Sequence, residues 1–350
     1  MITIDGRPIG RGHPAYVIAE VSANHHHDFA QAEALVRGAK HAGADAVKLQ
    51  TYTADTMTLD LATPPFRLGA GNTWAGRSLY DLYQEAHTPW EWHAPLQQVA
   101  AEEGLAFFST PFDETAVDFL ESLHVPAYKI ASFELVDTPL LERVGRTRKP
   151  VILSTGLASA QEIAEAVEAL RGAGCRDLVL LRCASAYPAR PADTHLAAMR
   201  TLAERFDVEV GLSDHTMDAA VAVAAVALGA SVIEKHFILD RGLGGPDAAF
   251  SLEPDELADL VRQIRVAEAA VGHDAAIPGA TAAEQSNLVF RRSLFVVANV
   301  EAGEAFTAGN IRALRPGHGL APKHLREIVG RRAATRIARG TPLTWELVVR

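Results

Sequence analysis

Long apolar runs are missing from this 350-residue chain, and no uninterrupted stretch is long enough to span a bilayer. Cations are in deficit: 33 lysines and arginines face 43 acidic residues, for a net charge of -10. That balance argues against a nucleic-acid binder with a basic surface. It leaves an anionic small substrate open, because a local pocket can be basic on an acidic protein. Cysteine is scarce. Cys175 and Cys183 are the only two and lack metal-ligand spacing, so a reduced, cytoplasmic setting is expected. The opening Met1-Ile-Thr-Ile-Asp has no basic stretch followed by an apolar core, so no signal peptide is expected. Low-complexity segments are absent too.

What is present is a regular alternation. The length is enough for a barrel plus a smaller unit, and hydrophobic residues, at 48% of the chain, are ordinary for a well-cored protein. Apolar strands are expected at Tyr16–Val21, Ala46–Gln50, Ala106–Thr110, Ala127–Ala131, Val151–Ser154, Leu178–Cys183, Val210–Ser213 and Val232–His236. Each precedes a helix-like stretch. One is capped by Asp28, with Ala34, Leu35, Gly38 and Ala39 on its inner face; another is the Ala, Val and Leu run from Ala219 to Gly229. Eight such units fit a (β/α)8 TIM barrel over residues 1–272 better than an open sheet. Gln50 to Trp92 reads as a long irregular loop, the kind that forms a lid or substrate wall. Residues 273–290 are expected to be a linker. Residues 291–350, with short apolar runs at Ser293–Val297, Ile328–Val329 and Pro342–Val349, are expected to form a small, mostly β unit.

Ligands of parallel α/β folds sit at the carboxyl ends of the strands, and the polar residues of this chain gather there. Lys48 and Lys129 are cations on otherwise apolar strands, costly to bury unless paired. With the hydroxyls of Thr110, Ser132, Ser154 and Ser213 they suit a phosphate. His215 and His236 end neighbouring strands and suit one divalent metal, with carboxylate or water completing the set. Glu20, Glu134 and Asp247 are candidates to accept protons or hold sugar hydroxyls. Each residue alone has a plainer reading. The lysines would be paired with snorkelling stems, the hydroxyls helix caps, His26 and His27 a solvated loop, Tyr187-Pro188 a turn with a packed ring, and Glu234 and Lys235 a simple pair on their strand. Their coincidence at one level of the barrel favours the functional reading.

Six segments in order, Ile18-Ala-Glu-Val-Ser-Ala-Asn-His25, Val47-Lys-Leu-Gln-Thr51, Phe108-Ser-Thr-Pro-Phe112, Pro126-Ala-Tyr-Lys-Ile130, Gly211-Leu-Ser-Asp-His215 and Ile233-Glu-Lys-His-Phe237, resemble the sialic acid synthase family. The tail segment Arg315-Pro-Gly-His-Gly-Leu-Ala-Pro-Lys323 resembles that family's antifreeze-like (SAF) domain. Tyr83–His93 and Leu181–Pro188 look most like the pseudaminic acid branch. Its members condense phosphoenolpyruvate and water with 2,4-diacetamido-2,4,6-trideoxy-altrose, releasing phosphate. The legionaminic and N-acetylneuraminic acid branches are the alternatives.

The resemblance implies a role for each matching residue. His215 and His236 would hold Mn2+ or Mg2+. Lys48, Gln50, Thr110, Lys129, Ser132, Ser154 and Ser213 would surround phosphoenolpyruvate and the metal. Glu20 would act at the reacting carbons, and Glu134, Tyr187 and Asp247 on the sugar side. Arg315 would enter a partner's barrel, implying a domain-swapped homodimer. Two departures stand out: His26-His27-Asp28 where the family has Asn-Gly-Asp, and Arg182 where lysine is common, which is not an equivalent exchange at a tight site. More distant readings are a barrel aldolase forming a Schiff base on Lys129 or Lys48, and a non-catalytic carbohydrate-binding protein.

Overall fold

The computed structural model describes residues 2–70, 73–272 and 279–349. Contacts divide the chain into two units, Met1–His273 and Asp274–Arg350.

In the first unit eight parallel strands close on themselves. They are β1 (Tyr16–Glu20), β2 (Ala46–Thr51), β3 (Ala106–Pro111), β4 (Tyr128–Ile130), β5 (Val151–Ser154), β6 (Leu178–Cys183), β7 (Glu209–Asp214) and β8 (Val232–His236). Each pairs with its sequence neighbours, and β8 pairs with both β7 and β1. The expected barrel is therefore present. The outer helices are α1 (Phe29–His41), α2 (His93–Glu103), α3 (Glu114–Ser122), α4 (Thr138–Gly145), α5 (Ala160–Ala173), α6 (Ala198–Phe206), α7 (Ala219–Ala227) and α8 (Pro254–Val271).

Local chemistry fixes their ends. The Asp28 carboxylate accepts from the N–H groups of Ala30 and Gln31, capping α1 as expected. Ser159 and Glu162 form a reciprocal capping box on α5. The face α1 buries is Ala32, Leu35, Val36 and Ala39. Ala34, expected on that face, is exposed, because the buried stripe runs from Ala32 at three- and four-residue steps. α7 buries Val221, Ala222, Ala225 and Val226.

A hairpin absent from the sequence reading precedes the barrel. Ile2–Ile4 pairs antiparallel with Arg7–Ile9. The two-residue turn Asp5-Gly6 has positive φ at both positions, 48° and 76°, as a type I′ turn needs.

The second unit holds β9 (Ser293–Val296) antiparallel to β10 (Ile311–Leu314). Isolated bridges such as Phe295 to Pro342 and Ala333 to Val348 add to this small β unit. Its core includes Leu294, Val296, Phe306, Ile311, Ile328 and Leu343. Of the short apolar run Ile328-Val329, Ile328 ends a one-turn helix, Leu325–Ile328, and Val329 caps it. A single apolar pair carries no periodicity to separate strand from helix. Of the expected linker, 273–278 lie outside the described residues, and Ala282–Phe290 winds into 3-10 turns.

Candidate active site

Side chains alternate along a strand, so each barrel strand sends every second residue toward the axis. On β8 that parity sends Glu234 and His236 to the mouth and Lys235 outward. The pair expected between Glu234 and Lys235 is therefore not made. Lys235 instead bonds Asp214 on β7, 2.7 Å away, with both side chains fully buried. Glu234 faces inward, where its carboxylate lies 3.4 Å from Lys129 Nζ and 3.7 Å from Lys48 Nζ and accepts from Ser213 Oγ at 3.1 Å.

Lys48 completes the floor. Its ammonium lies 2.6 Å from Glu20 and donates to Thr110 Oγ1 at 3.1 Å. Gln50 Nε2 donates to Glu20 at 3.0 Å and to Ser22 Oγ at 2.9 Å. Two ammonium groups and two carboxylates thus share one buried network, a costly arrangement unless each charge is paired. Burial pushes the Glu20 carboxyl up to about 7, against the pull of Lys48 and with a push from Glu234. Glu234 is held below the usual carboxylate range: burial opposes this, but the two lysines prevail. Lys48 is held above the ordinary lysine value by Glu20 and Glu234 in spite of burial. Burial lowers Lys129, with Glu234 only partly restoring it.

Above this floor opens a cavity of about 330 Å3, within the usual range for small-molecule sites. Eleven of the expected site residues line it. They are Lys48, Gln50, Lys129, Ser132, Ser154 and Ser213, together with His215, His236, Asp247, Tyr187 and Glu134. Glu20 and Thr110 do not reach the lining and hold Lys48 from beneath. Arg315 belongs to the second unit, exposed immediately after β10.

Four buried polar atoms of the lining have no hydrogen-bond partner: Ser154 Oγ, Glu134 Oε2, Glu234 Oε2 and His236 Nδ1. Such orphans are rare in folded proteins and mark groups prepared for a ligand. Burial raises the Glu134 carboxyl to about 7 and also raises Asp247, whose carboxylate takes a short bond from Ser22 Oγ. Gly156 lets the loops after β4, β5 and β6 converge beside Ser132. A Cβ there would lie 2.2 Å from Ser185 Oγ and 2.7 Å from Ser132 Oγ, so a side chain would displace both hydroxyls.

The two imidazoles lie with ring centroids 5.4 Å apart. His215 Nδ1 is 3.0 Å from the Ala184 carbonyl oxygen. A bond there fixes the tautomer and turns the Nε2 lone pair outward, the usual way a metal-binding histidine is oriented. Burial, aided by the cations around it, holds His236 well below the ordinary imidazole value, so it is neutral, as a ligand must be. Among the described residues no group of three or more His, Cys, Asp or Glu is arranged to hold a metal. The two histidines and the orphaned Nδ1 fit an open site needing outside ligands. Asp247 Oδ2 stands 4.0 Å from His236 Nδ1.

Sequence reasoning missed several residues here. Glu234 is the chief one, and its parity with His236 was the available signal. Cys183 and Phe250 also line the cavity. Of the loop histidines, His27 is exposed as expected. His26 is not solvated: its ring packs on Gly245 and its Nε2 is buried. Arg182 faces away from the cavity, donating to the Thr194 carbonyl at 2.9 Å.

The long segment after β2 crosses the mouth. It contains a helix, Leu79–Ala86, capped by Ser78. Thr73 Oγ1 donates to the Tyr187 carbonyl and Trp74 Nε1 to the Pro246 carbonyl, both at 2.9 Å. These bonds join the segment to the loops after β6 and β8.

The NeuB family model matches residues 35–276, and the SAF domain model matches residues 291–349. The chain belongs to the NeuB family. It is 44% identical to the pseudaminic acid synthase of Helicobacter pylori, over 95% of this chain and 97% of that one. It is 38% identical to the N,N'-diacetyllegionaminic acid synthase of Legionella pneumophila, over 97% of this chain and 96% of the relative. Among solved structures, the N-acetylneuraminic acid synthetase of Leptospira borgpetersenii matches with a TM-score of 0.72 at 32% identity, covering 82% of this chain and 94% of that one. No helix among the described residues is long and apolar enough to cross a membrane.

Proposed function

We propose that this chain is a pseudaminic acid synthase, joining phosphoenolpyruvate and water to 2,4-diacetamido-2,4,6-trideoxy-altrose with release of phosphate. The observation that carries the reading is one cavity holding both a paired-lysine floor and two neighbouring imidazoles, in a chain similar over nearly its whole length to enzymes of that name.

Lys48 and Lys129 receive the phosphate of phosphoenolpyruvate, and the hydroxyls of Ser132, Ser154 and Ser213 donate to its oxygens. Thr110 keeps Lys48 in place. His215 and His236 would hold a divalent metal, Mn2+ or Mg2+, which would supply Lewis-acid polarisation of the open-chain sugar's aldehyde. Glu134, Tyr187 and Asp247 orient the sugar so that its aldehyde carbon meets C3 of phosphoenolpyruvate. As that carbon–carbon bond forms, positive charge develops at C2, and the Glu20 carboxylate beneath the floor favours it. Water adds at C2 and phosphate departs by C–O cleavage, its charge balanced by the two ammonium groups. Arg315 completes the sugar site from the second unit of a partner copy, in a domain-swapped homodimer; Arg315→Ala should raise the sugar KM with barrel stability unchanged.

The test is phosphate release from phosphoenolpyruvate with a panel of sugars, the product weighed by mass spectrometry. A product of pseudaminic acid mass with the diacetamido altrose sugar, lost in EDTA and restored by Mn2+, is expected. Efficient use of the diacetamido mannose sugar instead would move the chain to the legionaminic branch. Trapping of a pyruvate adduct by borohydride would replace the reading with a Schiff-base aldolase.

A further inference from the structure

The cavity has two unlike halves. The floor is charged and hydroxylated. A second part of the lining comes from the segment after β2, which contributes Met57, Leu68, Leu79, Leu82, Tyr83 and Ala86. None of them is charged; the segment's charged residues, Asp81 and Glu85 among them, lie outside the lining.

Helix Leu79–Ala86 shows how this is arranged. Leu79, Leu82, Tyr83 and Ala86 follow the i, i+3, i+4, i+7 spacing that puts four residues on one face. The opposite face carries Tyr80, Asp81, Gln84 and Glu85. Tyr80 donates to Asp55 at 3.1 Å, and Glu85 pairs with Arg77. Such a helix ordinarily lays its apolar stripe on a protein core. Here that stripe borders the cavity, and Leu79, Tyr83 and Ala86 are only half-buried. Thr73 and Trp74 tie the segment down across the mouth, so the stripe is held in place.

We propose that this helix is the specificity-determining element of the sugar site, and that Leu79, Leu82 and Ala86 receive the C6 methyl group of a 6-deoxy sugar. The inference rests on the functional reading above and adds to it which end of the sugar is read by which residues. A hydroxyl on C6 would lose its water against three hydrocarbon side chains and gain no partner from them. An apolar pocket discriminates against an added hydroxyl by about 100-fold at most, and values one methylene at about 10- to 200-fold.

The experiment compares kcat/KM for 2,4-diacetamido-2,4,6-trideoxy-altrose with that for its 6-hydroxy counterpart, at saturating phosphoenolpyruvate. The unaltered protein should prefer the 6-deoxy sugar by about 10- to 100-fold. Leu79→Gln and Ala86→Ser, which offer the C6 hydroxyl a partner, should each shrink that ratio at least several-fold. Leu79→Met should keep it, and the KM for phosphoenolpyruvate should stay fixed in all three. Melting temperatures identify any variant that fails to fold, and Ala86→Ser, the smallest change, then decides. Comparable use of both sugars by the unaltered protein, or a ratio that none of the folded variants changes, overturns the proposal while leaving the synthase reading intact. Turnover of N-acetylmannosamine with neither diacetamido sugar used overturns the functional reading as well.

Discussion

Glu234 and Lys235 are adjacent in the chain and opposite in consequence. Glu234 bridges both floor lysines; Lys235 neutralises Asp214 behind the strands. Removing one member of a buried pair typically costs about 3–5 kcal/mol. Lys235→Ala should therefore lower stability in denaturant titration by that order while leaving kcat near normal in the folded fraction. Glu234→Gln keeps the shape and removes the charge that holds two ammonium groups together, so kcat should fall by at least about 100-fold, a loss of ~3 kcal/mol in transition-state stabilisation. Equal effects of the two on kcat would contradict this division of labour. At this scale the sequence was half legible. Isolated cations and strand-end histidines announce themselves by their cost in an apolar strand. Glu234 next to Lys235 looked self-satisfied, and only the side-chain parity of β8 shows that the two cannot meet.

Among the elements, the barrel strands were legible because β-rich apolar runs alternate regularly with capped helices. The segment after β2 was read as an irregular loop forming a lid or substrate wall, without its helix, yet Ser78 followed by apolar residues at helical spacing marks that helix. The opening hairpin too was written in Asp5-Gly6 between Ile2-Thr3-Ile4 and Arg7-Pro8-Ile9. The roles of Thr73 and Trp74 were not legible, since their acceptors are backbone carbonyls more than a hundred residues away. Thr73→Val removes one of these bonds and should raise the KM for the sugar several-fold, with that for phosphoenolpyruvate unchanged. Steady-state kinetics in both substrates checks this.

For the whole molecule, pH dependence of stability follows from buried groups. Burial lowers His93 from an ordinary 6.5 to about 4, and His25 to about 3. Their neutral forms are compatible with the fold, so the stability they support is complete above about pH 6.5. It is lost as the pH falls toward 4 and 3, where the unfolded chain takes up protons first. Glu20 and Glu134, raised to about 7, act oppositely and weaken the fold as pH rises from about 4.5 to 7. In His93→Gln the loss of stability between pH 6.5 and 4 should be shallower than in the unaltered protein; denaturant midpoints at pH 7.5, 6 and 5 measure it. Equal slopes would mean that His93 is protonated in the folded state.

Because β8 bonds both β7 and β1, it is the stave that closes the barrel, and it has no free edge along which to settle. A slip of one residue would turn Lys235 into the mouth and send Glu234 and His236 out among the helices. Asp214, buried on the outer side, would then face Glu234 or His236, according to the direction of the slip, where its cation had been. The Lys235–Asp214 pair therefore works as a key in a lock: it contributes nothing to the chemistry, yet it admits only the alignment in which the imidazole and the bridging carboxylate arrive on the reactive side.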